Sequence, residues 1–235
     1  MVILQIPAET RGLTKLYWLT SYHSFSFGSY YNPEKVGFGK LIVLNDDTVE
    51  ADKGFGLHFH DNMEIVTFVL QGSLEHNDST GGKGILKAGQ MQRMTAGKGI
   101  QHSEFNPSKT ELAHFLQIWI APQTLGLEPE YEQKDFGALL KLNTLSLLVS
   151  PQRKKDSLFI HQNVYFYMAK MEKGASLNYS VSSEKNGVYG FLIDGEIQIG
   201  QTFIKSKDAA AITNEKEFRF KAEKPSQILF IETPI

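Results

Sequence analysis

Residues 54–79 read GFGLHFHDNMEIVTFVLQGSLEHNDS, and this stretch decides the fold. Its centre, 63–71 (MEIVTFVLQ), is a short run of β-branched and aromatic side chains that ends in a Gln-Gly turn and resumes as a second short run. Runs of the same kind recur at 40–44 (KLIVL), 112–120 (LAHFLQIWI), 164–169 (VYFYMA), 189–199 (YGFLIDGEIQI) and 228–232 (ILFIE). Turn-type clusters separate them: Asn45-Asp46-Asp47, Asp78 to Gly82, Ala96 to Gly99, and Glu184 to Gly187. Many short strands at near-regular spacing indicate an all-β chain folded as a sandwich or barrel. Helical patterning is weak. Its best candidate lies around 128–148, where LLKLNTLSLL reads equally as a strand.

The hairpin at the centre of the quoted stretch has a counterpart. Phe68-Val69-Leu70-Gln71-Gly72-Ser73-Leu74 resembles Phe191-Leu192-Ile193-Asp194-Gly195-Glu196-Ile197, 123 residues further on. Gly89 corresponds in the same way to the acidic turn at Asp208. Two matching hairpins suggest a duplicated β-barrel. The chain has 235 residues, and at about 150 residues per domain that length suits one large all-β unit or two small ones. The segment 122–150, with Pro122, Pro129 and several charges, is the natural connection.

Composition excludes several function classes. Hydrophobic residues at 41% and charged residues at 21% are near the globular average. With 24 Lys+Arg against 26 Asp+Glu, there is no cationic surplus for nucleic acid. Zero cysteine removes disulfides, Cys-ligated clusters and thiol nucleophiles. The N-terminal MVILQIPAETRGLTK is broken by Glu9 and Arg11 and is no signal-peptide core. Every apolar run falls short of the roughly 20 residues of a membrane span. A soluble cytoplasmic protein is expected.

The chemistry lies in the seven histidines. His58-x-His60 and His102-x-Glu104 each fall on a strand-type segment preceded by a Gly-rich turn. Residues i and i+2 of a strand share a face, so one strand would project two imidazoles and another an imidazole and a carboxylate. Converging in a barrel, three neutral nitrogens and one anionic oxygen suit iron, nickel, manganese, copper or zinc. Glu64, in His58-x-His60-x3-Glu64, is a rival carboxylate or one that orients a ligand; spacing alone does not separate it from Glu104. His23 reads as structural or pocket-lining, His76 as bonded locally to Asp78, His114 as packed in an apolar strand, and His161 as isolated. None of these four is assigned to the metal.

The stretches HSFSFGSYYNPEKVGFGKLIVLNDDTV (23–49), GFGLHFHDNMEIVTFVLQGSLEHNDS (54–79) and GQMQRMTAGKGIQHSEFN (89–106) resemble the pirin family of bicupins, especially its bacterial quercetinase-type members. LQIWI (116–120), SLFIHQ (157–162) and DAAAI (208–212) continue the resemblance over nearly the whole chain. It implies two stacked cupin barrels, 1–133 carrying one mononuclear metal and 134–235 carrying none. In that family the HxH and HxE pairs hold the metal, which here are His58, His60, His102 and Glu104, leaving Glu64 to the pocket. The sequence departs from the general cupin pattern: seven residues separate Gly89 from Gly97, which stands at the motif's proline position. The second half has the hairpin but no HxH, and therefore reads as structural.

The activity implied is a ring-opening dioxygenase acting on a flavonol or related enol with O2 and releasing carbon monoxide. Iron is the first metal expected, and no further cofactor. The flavonol 3-hydroxyl would lose its proton to an adjacent carboxylate, Glu104 first and Glu64 second, with Phe68, Met91 or Met94 lining an apolar pocket. The alternative is a non-enzymatic redox sensor or transcriptional cofactor, in which the metal's oxidation state alters a surface read by a protein partner. Neither reading involves direct nucleic-acid or membrane binding.

Overall fold

The computed structural model describes residues 2–235. Among them the only helical turn is the 3-10 segment Ala8–Thr10, and four sheets account for the rest of the regular structure. The strand pairings are antiparallel, except that Leu158–Phe159 lies parallel to Thr144–Ser150. The ambiguous stretch 128–148 resolves into strands Glu130–Asp135 and Thr144–Ser150 around a turn. No helix of the described residues is long and apolar enough to cross a membrane.

In the first half, a seven-stranded sheet runs in the order Glu130–Asp135, Gln90–Thr95, Glu64–Gln71, Ala113–Ile120, Leu41–Val49, Leu19–His23, Gly12–Lys15. A four-stranded sheet, Gly54–His60, Ile100–Phe105, Ser73–Asp78, Lys83–Lys87, closes the barrel. The second half repeats the plan, with a seven-stranded sheet centred on Asn186–Asp194 and Ser226–Pro234, and a four-stranded sheet from Ser176–Ser180 to Thr202–Lys205. Its outermost strand is Val2–Ile6, which pairs with Ala209–Thr213, so the start of the chain completes the far sheet.

The repeated hairpin marks the corners of the two barrels. Gly72 and Gly195 each stand where the chain leaves a seven-stranded sheet for a four-stranded one, at φ 72° and 98°. Glycine adopts this left-handed region freely, which lets the chain turn the corner. A Cβ at Gly72 would lie 2.4 Å from the Leu112 carbonyl, and one at Gly195 would lie 2.2 Å from Ser226 Oγ. The second correspondence holds as well. Gly89 (φ 88°) and Lys207 (φ 72°), beside Asp208, turn the next corner in each half.

Asn45-Asp46-Asp47 is no turn: it lies inside strand Leu41–Val49. Tertiary partners override its weak strand propensity. Asp46 pairs with Arg11 at 3.1 Å, Lys207 at 3.3 Å and His114 at 2.5 Å, and Asn45 bonds His23 at 2.8 Å.

The two seven-stranded sheets pack face to face through the largest apolar cluster. It joins Leu44, Val66, Phe68, Met91, Leu116 and Ile118 to Phe166, Met168, Phe191, Leu229 and Ile231. The second barrel has a continuous apolar interior built on Tyr179, Phe218, Phe220 and Phe230. The first barrel's interior is instead split. One small apolar cluster surrounds Val69, Leu74 and Phe115, another surrounds Ile65, Met94 and Ile100, and buried polar side chains lie between the two. That polar layer holds the candidate functional site.

Candidate metal centre and pocket

Strands Gly54–His60 and Ile100–Phe105 pair so that His102 stands opposite His58 and Ile100 opposite His60. Between His102 and Glu104 the register shifts, and Glu104 stands opposite Phe55. This bulge includes Gly56, whose carbonyl accepts a hydrogen bond from His58 Nδ1 at 2.8 Å. A proton on Nδ1 leaves the lone pair on Nε2 of His58. The i, i+2 alternation then sends His58, His60, His102 and Glu104 into the barrel.

His58, His60 and His102 converge, each with a ring nitrogen within 4.8 Å of the others. Their ring centroids are 4.3 Å (His58–His102), 4.8 Å (His58–His60) and 4.9 Å (His60–His102) apart. Burial, and then repulsion from the neighbouring histidines, pushes His102 down to about 2 and His60 down to about 4. His60 and His102 therefore present neutral imidazoles near pH 7. His102 is 1% exposed, yet its Nε2 has no hydrogen-bond partner. A buried nitrogen lone pair left unsatisfied costs free energy, and a cation shared with His58 and His60 is a species that would satisfy it. The donor set fits a divalent transition metal.

Glu104 is fully buried and held by amides. Gln92 Nε2 donates to Oε1 and Gln117 Nε2 to Oε2, both at 2.7 Å, while Thr67 Oγ1 donates to Oε1 at 3.4 Å. Burial pushes its pKa up to about 7 against the pull of these donors. It groups with His102 and His76 rather than with the trio of histidines. His76 is also fully buried: its Nε2 meets Asp78 Oδ2 at 2.9 Å and its Nδ1 faces His102 Nδ1 at 3.4 Å. The local bond expected from sequence is there, with a second contact that sequence did not indicate.

Beside the histidines lies a cavity of about 190 Å³, bordered by His58, His60, Glu104, Phe27, Phe55 and Trp119. Two of its lining residues carry buried polar atoms without partners, Asp47 Oδ1 and Trp119 Nε1. Burial pushes Asp47 up to about 7. His23 lines the same cavity while bonded to Thr14 at 2.9 Å and Asn45 at 2.8 Å, so it is both structural and pocket-lining. Gln92, Gln117 and Thr67, which position Glu104, carry no sequence signal of their own; Asp47 was hidden in an apparent turn.

Glu64 does not reach this cavity. Thr67 points inward to Glu104, so alternation puts Ile65 and Val69 inside and Glu64, Val66 and Phe68 on the opposite face. There Glu64 accepts from Thr95 Oγ1 at 3.0 Å and lies near Arg93 and the His161 backbone amide. Phe68 and Met91 belong to the core between the halves, and Met94 to a cluster with Ile65, Ala96 and Ile100; none of the three lines the cavity. His114 pairs with Asp46 rather than packing in apolar surroundings, and His161 sits 3.5 Å from Glu130.

Comparison with known proteins agrees with this architecture. Residues 7–120 match the Pirin family model, and residues 147–233 match the quercetinase C-terminal cupin domain. The chain is 40% identical over 227 residues to quercetin 2,3-dioxygenase of Escherichia coli K12, covering 97% of this chain and 96% of that protein. The crystal structure of the bacterial pirin YhhW from E. coli in complex with nickel(II) superposes with a TM-score of 0.94 at 38% identity, covering 99% of each chain. The E. coli protein YhaK shares the fold at 24% identity and a TM-score of 0.75. The duplicated barrel, the HxH and HxE strands of its first half and full-length similarity to bacterial relatives converge on one conclusion: the chain belongs to the pirin family, among its quercetin 2,3-dioxygenase-like bacterial members.

Proposed function

We propose that the chain is a metal-dependent dioxygenase of the quercetinase type, opening a flavonol or related enol ring with O2. His58, His60, His102 and Glu104 are its metal ligands, in the unit 1–133; the unit 134–235 supports that barrel and takes no metal. The observation that carries the reading is the unpartnered Nε2 of buried His102, which converges with His58 and His60, the two histidines that border an aromatic cavity. Iron is the first candidate. The nickel(II) complex of the E. coli relative supports nickel equally, and manganese, copper and zinc suit the same donors.

When bound, a divalent ion supplies Lewis acidity and a template for two reactants. The protein's own groups do the rest. Phe27, Phe55 and Trp119 give a flat substrate an apolar slot and exclude water. Trp119 Nε1 offers a hydrogen bond to a substrate oxygen, and Asp47 Oδ1 can accept one from a hydroxyl. Glu104 is the base that takes the enol proton, because it borders the cavity and Glu64 does not. Glu104 Oε1 accepts from both Gln92 and Thr67, whereas Oε2 accepts only from Gln117 and keeps a lone pair for a metal or a proton.

A second reading, the metal-dependent sensor, has one observation in its favour. Leu57 and Phe59 alternate with His58 and His60 on the same strand, and they are 70% and 57% exposed. A change at the histidines would therefore move an apolar surface directly.

Oxygen uptake on adding quercetin to protein reloaded with each metal, against His102→Ala, separates the two. Metal-dependent uptake that is lost in His102→Ala is expected. A fully loaded wild type with no uptake would overturn quercetin cleavage and favour the sensor or an enzyme for a different enol, and a His102→Ala variant that still holds one equivalent of metal would overturn the ligand assignment.

A further inference from the structure

We propose that the surface turn Asp78 to Gly82 tunes metal affinity through a relay, Asp78 to His76 to His102, that fixes the His102 tautomer. The proposal rests on the metal reading above and adds two positioning groups to it, Asp78 and His76.

The relay starts at an anchored carboxylate. Asp78 Oδ1 accepts from Thr80 N at 2.8 Å, Thr80 Oγ1 at 2.6 Å and Gly82 N at 3.0 Å. Its other oxygen, Oδ2, meets His76 Nε2 at 2.9 Å, with both side chains buried. An ionised carboxylate only accepts, so His76 Nε2 carries a proton. With that one proton on the ring, the lone pair is on His76 Nδ1. That atom faces His102 Nδ1 at 3.4 Å. Two lone pairs cannot face each other at this distance, so His102 Nδ1 carries its proton and donates. The lone pair of His102 is then confined to Nε2, the atom with no partner, on the side of His58 and His60.

The geometry around His76 admits little slack. Tyr131 stacks on its ring at a centroid distance of 4.4 Å and an interplanar angle of 19°. The turn beneath is equally tight, since a Cβ on Gly82 would lie 2.2 Å from Asp78 Oδ2. Gly82 therefore permits the close approach by which Asp78 reaches His76. His58 needs no such relay, because the Gly56 carbonyl already fixes its tautomer within the same strand. Oriented ligands bind metals more tightly because the ordering cost is met during folding, and losing such a partner typically lowers affinity about 10–100-fold.

The test begins with the tautomers themselves. Long-range 1H–15N NMR of the metal-free full-length protein should report a protonated Nδ1 and bare Nε2 on His102, and the reverse on His76. A proton on His102 Nε2 would overturn the proposal. Nickel(II) affinity is then measured by chelator competition for wild type, Asp78→Asn and Gly82→Ala, with circular dichroism verifying the fold. We expect one equivalent of nickel in all three, bound about 10–100-fold more weakly by both variants, and a mixed His102 tautomer in their metal-free spectra. Unchanged affinity in both folded variants would overturn the relay. The expected tautomers in a wild type that binds no nickel would instead overturn the metal reading on which it rests.

Discussion

Glu64 carries a cost that its neighbours only partly offset. Its side chain is fully buried, one oxygen has no partner, and burial pushes its pKa from 4.5 up to about 7 against the pull of Arg93 and Thr95. A carboxyl whose folded pKa is raised binds its proton more tightly in the native state. Its contribution is therefore greatest below the unfolded pKa and is lost as pH rises through the folded value. The window runs from about pH 4.5 to pH 7, and a shift of that size corresponds to about 3 kcal/mol. Glu64→Gln keeps an oxygen to accept from Thr95 and removes the titration. Urea unfolding should find the variant more stable than wild type at pH 8, with the advantage shrinking toward pH 4.5. A variant less stable at pH 8 would mean that the ionised form, paired with Arg93, is what the native state requires. The same residue marks a limit of sequence reading. HxH and HxE were legible because strand alternation alone brings those side chains to one face. Glu64 shares their motif spacing, but its facing depends on which parity of strand Glu64–Gln71 points into the barrel, and only Thr67 meeting Glu104 reveals that.

At the scale of elements, the repeated hairpin was readable because its corner demands a residue with access to positive φ. Gly72 and Gly195 meet that demand in the two halves, and both also approach another segment closely. Alanine at Gly72 must accept a left-handed backbone and push against the backbone carbonyl of Leu112, which cannot swing aside. Gly81, at φ 93° in the surface turn, has the same backbone requirement with nothing within 4 Å of a Cβ. Gly81→Ala should therefore cost only the conformational term, about 1–2 kcal/mol. Gly72→Ala should cost clearly more, and thermal melts of the two variants measure the difference. Equal losses would show that the corner relaxes and that glycine is needed there for its backbone alone. Other elements could not be read locally. Asn45-Asp46-Asp47 has turn composition, and only Arg11, Lys207, His114 and His23, distant in sequence, make it a strand. The bulge that sets Glu104 opposite Phe55 is likewise a property of two paired strands and not of either alone.

At the scale of the molecule, duplication has left the halves alike in fold and opposite in interior. The second barrel encloses apolar side chains, whereas the first encloses a polar layer that interrupts its core. Buried polar groups stabilise less than the apolar packing they displace, so the first barrel is the weaker partner by itself. The shared core between the seven-stranded sheets compensates, because Leu44, Val66, Leu116 and Ile118 find their apolar neighbours in the other half. The strand Val2–Ile6 adds a covalent crossing, since it completes the far sheet before the chain enters the first barrel. Both halves should consequently unfold as one unit. Phe166→Ala tests this from the metal-free side: its ring is fully buried in the shared core, and truncation should cost about 3–5 kcal/mol. Both tryptophans, Trp18 and Trp119, lie in the first half, so their fluorescence reports that barrel, while far-ultraviolet circular dichroism reports all four sheets. The urea midpoints from the two probes should coincide in wild type and move together in Phe166→Ala. A fluorescence midpoint that stays in place while the dichroism midpoint falls would show that the first barrel holds its structure without its neighbour.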